Sequence, residues 1–235
     1  MELRLQFSKS GDLKYISHLD LMRLLTRSFR RARLPIAFSD GYNPKPKISM
    51  GPALPVGVSG LKEYFDLELR QELEPDKVLA RLNQVLPVGI LISRAVEITR
   101  DVASLVARIN RASYQLSYPA EGITAEGLDD AFRKLFSQKE WKIERIRHKK
   151  KNRILDLKPL ILEIDWNFTD ERLLIDVLVI TGSQGNVRVG EVIRLLAREA
   201  GLSEIPLSKT LRRALYVEEE AEGVQSLVDP INLAQ

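Results

Sequence analysis

The chain has 235 residues and no cysteine, which excludes disulfides, a thiolate nucleophile, a cysteine-ligated zinc and a cysteine-held iron–sulfur cluster. With 44% hydrophobic and 29% charged residues it has the composition of an ordinary folded protein, long enough for one large domain or two small ones. The net charge of +4 is unevenly spread: residues 1–60 carry ten Lys or Arg against four acids, a bias that favours a polyanionic partner. Only His18 and His148 could supply imidazole, too few for a multi-histidine metal site, so neither metal nor cofactor is expected.

Leu3, Leu5 and Phe7 alternate with Glu2, Arg4 and Gln6, the period of a strand with one buried face. This start lacks the apolar core of a signal peptide, and no apolar run is long enough to span a bilayer. A cytoplasmic location without a membrane partner is therefore expected. Ser17 with Asp20 resembles a capping box, and the helix it opens runs to about Arg33, before Pro35. Leu21, Met22, Leu25, Phe29 and Ala32 form its inward stripe; Arg23, Arg27, Arg30 and Arg31 lie opposite, with Asp20. A solvated outer face and a contact for backbone phosphates are both open readings of these arginines.

Ile36–Phe38 begins a second strand. Ser39 to Val58 then packs four prolines, three glycines and two lysines into a stiff connection. Residues that precede proline are held extended, and alternation along an extended run places Asn43, Lys45 and Lys47 on one side. Such a row suits an anion such as a phosphate chain; a rigid connector with solvated lysines is the other reading. The segment is expected to fold back over the start of the first helix, so that His18, Arg23, Asn43, Lys45 and Lys47 share a pocket. Tyr64–Leu69 is a third strand, Pro75–Leu86 a helix and Gly89–Ile98 a fourth strand. The order β-α-β-β-α-β is the ferredoxin-like unit, whose second strand lies at an edge, where Pro44 and Pro46 are tolerated.

Residues 100–112 read as a linker. Beyond it come a strand at Tyr114–Tyr118, a helix over Thr124–Ser137 and an alternating run from Trp141 to Arg147 that leads to a hairpin tip at Lys149-Lys150-Lys151-Asn152. The hairpin carries seven cations between Lys142 and Arg153 against Glu144 alone. Ile154–Ile164 and Leu173–Ile180 continue an antiparallel set, with a turn at Thr169-Asp170-Glu171; Val189 to Leu196 marks a helix, and Leu211–Val217 a last strand. The expected class is α+β, a tandem of ferredoxin-like units over 1–99 and 113–235. Gly182-Ser183-Gln184-Gly185 precedes a helix but matches neither phosphate-loop pattern, and is taken as a plain loop.

Tyr15-Ile16-Ser17-His18-Leu19-Asp20-Leu21-Met22-Arg23, then Arg30-Arg31-Ala32, then Gly41 to Val58 resemble a bacterial family of unknown function, the accessory domain associated with radical SAM proteins. The likeness is most specific over residues 1–70 and continues more weakly through Leu155–Pro159. It implies a radical SAM protein as partner and a role in presenting a substrate, for which RNA is the first expectation. In that role His18, Asp20, Arg23, Arg27, Arg30, Tyr42, Asn43, Lys45 and Lys47 are the candidate ligand contacts, with Tyr42 stacking on a base and Asn43 reading one. Two alternatives stay open. His18 could act as general acid or base in metal-independent RNA processing, against a structural histidine packed on the Gly41–Lys47 loop. Or the chain could be a protein-interaction subunit that touches no nucleic acid.

Overall fold

A computed structural model describes residues 1–99, 103–146, 151–169, 171–221 and 224–234. Arg100 to Val102 of the expected linker, Arg147 to Lys150 of the expected hairpin and Asp170 of the expected turn lie outside the described residues. The chain runs β1 (Glu2–Lys9), α1 (His18–Arg31), β2 (Ile48–Met50), β3 (Ser59–Glu68), α2 (Pro75–Asn83), β4 (Ile90–Glu97) and α3 (Leu105–Arg108). It continues with β5 (Arg111–Pro119), α4 (Ala125–Ser137), β6 (Lys142–Arg145), β7 (Arg153–Asp156), β8 (Ile161–Phe168) and β9 (Arg172–Ile180). Then come α5 (Val189–Glu199), β10 (Thr210–Ala221), β11 (Val224–Val228) and a 3-10 turn at Pro230–Ala234. The class is α+β with a mostly antiparallel sheet. Among the described residues no helix is long and apolar enough to cross a membrane.

The strand order is β4-β1-β3-β10-β5-β9-β8, with β2 added to β3 and β11 to β10. Each half therefore repeats one order, fourth-first-third-second, as β4-β1-β3-β2 and β10-β5-β9-β8. The two halves share one sheet. β10 joins β3 in parallel at Leu211–Ser59 and Arg212–Gly60, making nine strands one sheet among the described residues. β2 occupies the far stretch of the same β3 edge, pairing Ile48 with Leu67 and Met50 with Phe65. The expected strand Ile154–Ile164 is split by a 3-10 turn at Lys158–Leu160, and its first part pairs with β6, in a two-stranded sheet apart from the main one.

Ser17 caps α1 by accepting a hydrogen bond from the Asp20 backbone N–H (3.2 Å). The helix closes with Arg33 at φ 53°, where the Leu34 N–H donates to Phe29 and the Arg33 N–H to Arg30, the paired bonds that end many helices. Leu21, Leu25 and Phe29 meet Leu3, Leu5 and Phe7 of β1 and Phe65 of β3. Each such fully buried side chain contributes about 1.5–3 kcal/mol of transfer free energy. A second core gathers Leu116, Tyr118, Phe132, Leu135, Val192 and Leu196 from β5, α4 and α5. Leu54, Val58 and Tyr64 of the first half join that second core, as do Leu105 and Ile109. Of residues 103–112, Leu105 and Ile109 are buried in that core while Ala103, Ser104, Val106 and Ala107 are exposed, and β5 begins inside the stretch at Arg111.

The opposite face of the first half is polar and sealed. Arg4 faces Asp66 across β1 and β3, donating through Nε (2.8 Å) and Nη2 (2.9 Å), while its Nη1 reaches the Pro230 carbonyl (3.0 Å). The Tyr64 hydroxyl donates to Asp229 (2.6 Å). The corresponding face of the second half, with Gln115, Asp165 and Asp176, stays half-exposed or exposed.

Candidate binding groove at the seam of the two halves

The pocket expected from the proline-rich stretch does not form, because that stretch divides. Its first part turns back on the chain that precedes it. The Ser39 N–H donates to the Lys45 carbonyl (2.8 Å), the Lys45 N–H to the Ser39 hydroxyl (3.0 Å) and the Lys47 N–H to the Ala37 carbonyl (2.9 Å). Ile36 and Phe38 make only isolated bridges, to Leu69 and Pro46, instead of a strand, since Pro35, Pro44 and Pro46 lack the N–H groups a ladder needs. The edge strand begins after the prolines, at Ile48. Asp40 to Asn43 form the bend, so Asn43 is not in line with Lys45 and Lys47. Tyr42 projects from the tip, 99% exposed. Lys47 is held by Glu68 (2.9 Å), whose carboxylate raises its pKa.

All of this lies past the C-terminal end of α1. His18 and Asp20 open the 14-residue helix, with His18 about 20 Å from its far end at 1.5 Å per residue and Arg23 about 12 Å from it. There Asp20 accepts from the Ser17 hydroxyl (2.7 Å) and from Arg23 (3.1 Å), bonds that lower its pKa in that order. Arg27 and Arg30 are exposed along the helix, and Arg31 is tied to the Val85 carbonyl (2.7 Å). His18 does pack against the proline-rich stretch, but against its second part rather than Gly41–Lys47. Half-buried, it lines with Met50, Gly51, Pro52 and Leu54 a void of about 10 Å³, room for a single water.

That second part is fixed from the interior. Arg212 of β10, 2% exposed, donates through Nε to Glu63 (2.8 Å) and also through Nη2; Nη2 further donates to the Pro52 carbonyl (2.7 Å) and Nη1 to the Ala53 carbonyl (3.4 Å). Burial disfavours the guanidinium charge, but Glu63 and Tyr114 outweigh it and raise the Arg212 pKa. Lys9, 1% exposed, donates to the carbonyls of Ile16 (3.0 Å) and Lys14 (3.4 Å). Burial lowers its pKa, opposed by Glu63 and reinforced by Arg212. The Gly51 N–H donates to the Tyr64 carbonyl (2.9 Å) and the Gly57 N–H to that of Lys14 (2.8 Å). Residues 51–57 are thereby stretched across the seam where β10 leaves β3.

Beside this strap a groove crosses from one half to the other. Its wider part, about 450 Å³, lies between Pro55, Ile146, Val189 and Leu207, with Arg188 and Arg194 on its wall. A second part of about 320 Å³ adjoins it through Pro55, Arg188 and Val189, and runs over Tyr114, Asn186 and Arg212. The Arg188 N–H donates to Glu191 (3.1 Å), and Arg145 of the hairpin holds both Glu191 oxygens (2.6 Å each) and the Asn186 carbonyl (2.6 Å). The first turn of α5 thus already contains a carboxylate, which leaves Gly182–Asn186 as a shaped wall rather than a phosphate cradle. In the run Glu218-Glu219-Glu220 of β10, Glu218 is paired with Arg111 and Glu219 with Arg108.

Lys9, Glu63, Arg188, Arg194 and Arg212 were not among the expected site residues. Lys9 and Glu63 carry a faint signal, as charged residues in otherwise alternating strands; Arg212 carries none, because its partners are about 150 positions away in sequence.

Fold and groove together define an α+β chain of two joined halves with a cationic cleft between them. The chain belongs to the family described as "Uncharacterized protein conserved in bacteria (DUF2344)", whose model matches residues 2–189. No curated protein matches it. Among solved structures it is similar to a chain of "Crystal Structure of a Cbf5-Nop10-Gar1 Complex", at a TM-score of 0.49 and 11% identity over 91% of this chain. The match spans 48% of that chain, about half its length.

Proposed function

We propose that this chain is a non-catalytic cytoplasmic accessory protein that binds RNA at the seam between two fused ferredoxin-like units, beside a radical SAM enzyme. The observation that carries the reading is the placement of Arg188 and Arg194 on the wall of a groove formed by both halves. Lys151 and Arg153 of the hairpin that carries Arg145 are exposed, further cations for a polyanion to meet. The repeated strand order supports the ferredoxin-like description, and the radical SAM partner comes from the sequence resemblance. His18 has no part in binding here: it borders a space for one water, and Asp20 is engaged by Ser17 and Arg23.

The test is a salt titration of binding to tRNA and rRNA fragments. Saturable binding that weakens with salt is expected, and replacing both Arg188 and Arg194 by alanine should lower the slope of log K against log salt by about 1–2. Absence of saturable binding at low salt would overturn the reading.

A further inference from the structure

Resting on that reading, we infer that the seam groove takes unpaired nucleotides, with base faces between its apolar walls and phosphates on Arg188 and Arg194. Its two parts, about 450 and 320 Å³, have the size of pockets for single small ligands. Double-stranded RNA is instead recognised across its shallow minor groove over about 16 base pairs, with the base faces hidden in the stack. Pro55, Leu207 and Ile146 offer apolar surface, and Ile146 is 67% exposed. A base released from stacking regains on these walls the contact it lost, which a paired base has no reason to seek. Asn186 adds a side-chain amide in the narrower part, able to donate and accept at a base edge.

The walls are set before a ligand arrives. Arg145 clamps Glu191 and the Asn186 carbonyl on one side, and Arg212 holds the carbonyls of Pro52 and Ala53 on the other. A preformed groove binds without the cost of ordering its loops. The cationic rim favours an anionic strand; an acidic apolar peptide shares that complementarity but leaves the base-sized division of the groove without a use.

Gly190, in the first turn of α5, allows a direct test. A Cβ there meets only Leu207 Cδ2, at 4.0 Å, so a larger side chain enters the groove without forcing the fold. The full chain is titrated, at one low salt concentration, with a labelled 12-nucleotide oligouridylate, a 12-base-pair RNA duplex and a Glu/Leu peptide. The oligouridylate is expected to bind at least tenfold tighter than the duplex. Gly190→Leu is expected to weaken it at least tenfold at unchanged melting temperature, and Gly190→Ala to leave it within twofold. Equal affinity for the duplex, or indifference to Gly190→Leu, would overturn this inference and leave RNA binding standing. If neither RNA binds, the proposed function itself falls; peptide binding abolished by Gly190→Leu would then assign the groove to a protein segment.

Discussion

Ser39–Lys47 and Ile48–Val58 are adjacent in one proline- and glycine-rich stretch, yet the fold treats them as different materials. The first is an exposed tip held by its own backbone, with Tyr42 and Lys45 in solvent and only Lys47 tied to Glu68. The second is an edge strand and a strap whose carbonyls are donated to by Arg212 and whose Leu54 and Val58 are buried in the other half's core. Stiffness alone therefore says nothing about burial. Prolines remove ladder donors in both parts, but only the second part passes the place where β10 leaves β3 and needs its carbonyls satisfied.

The largest effect that could break this contrast belongs to Arg212. Arg212→Ala leaves Glu63 buried without its cation, and the Pro52 and Ala53 carbonyls without donors, so a loss of about 3–5 kcal/mol is expected in urea unfolding. The pair Arg212→Met with Glu63→Leu removes the unpaired carboxylate but still leaves the Pro52 and Ala53 carbonyls without donors, so it should recover only part of the loss. A loss under about 1 kcal/mol for Arg212→Ala would mean that the strap is held by something else.

Alkaline titration probes the buried part next. Burial raises the pKa of Tyr64, with its bond to Asp229 adding to the shift, and burial raises that of Tyr118. Above pH 10 the unfolded phenols ionise while these two keep their protons. Stability is therefore complete below about pH 10 and falls as pH rises, on the order of 1 kcal/mol per pH unit for each. Phenolate absorbance should show two tyrosines that ionise only as the chain unfolds.

Gly60→Ala sharpens the contrast without touching a charge. A Cβ at Gly60 would stand 2.6 Å from Glu63 Oε1, so the carboxylate must shift and its bidentate bond to Arg212 distort. A loss of about 1–3 kcal/mol in thermal unfolding is expected. On the exposed side, Arg33→Gly relieves a left-handed residue at the end of α1 and should stabilise by about 0.5–1 kcal/mol. Smallest of all, Tyr42→Ala and Lys45→Ala should each leave stability within about 0.5 kcal/mol, since neither side chain is packed. A larger cost at Tyr42 would show that the tip is part of the interior after all.

Much of the fold was legible because its signals are local. The 3.6-residue period of Leu21, Leu25 and Phe29, the Ser17 cap, the stop before Pro35 and the alternation of Leu3, Leu5 and Phe7 each depend on near neighbours alone. The candidate site was less so. The expected clustering of His18, Arg23, Asn43, Lys45 and Lys47 needs the proline-rich stretch to fold back over the start of α1, but most of a 14-residue helix separates His18 from Lys45 and Lys47. The cations that do share a groove, Arg188 and Arg194, carry no local signal that sets them apart from other arginines of the sequence.

What the chain of residues determined by itself was the identity of most helices and strands, the excess of positive charge and the absence of thiol chemistry, all properties of composition or of a few consecutive positions. Tertiary structure alone decided that β10 would join β3, that Arg212 would be drawn inside to serve carbonyls of the other half, and that a groove would open beside them. The physical reason is that a buried cation is stable only where distant segments bring it acceptors together, and no local period specifies which segments those will be.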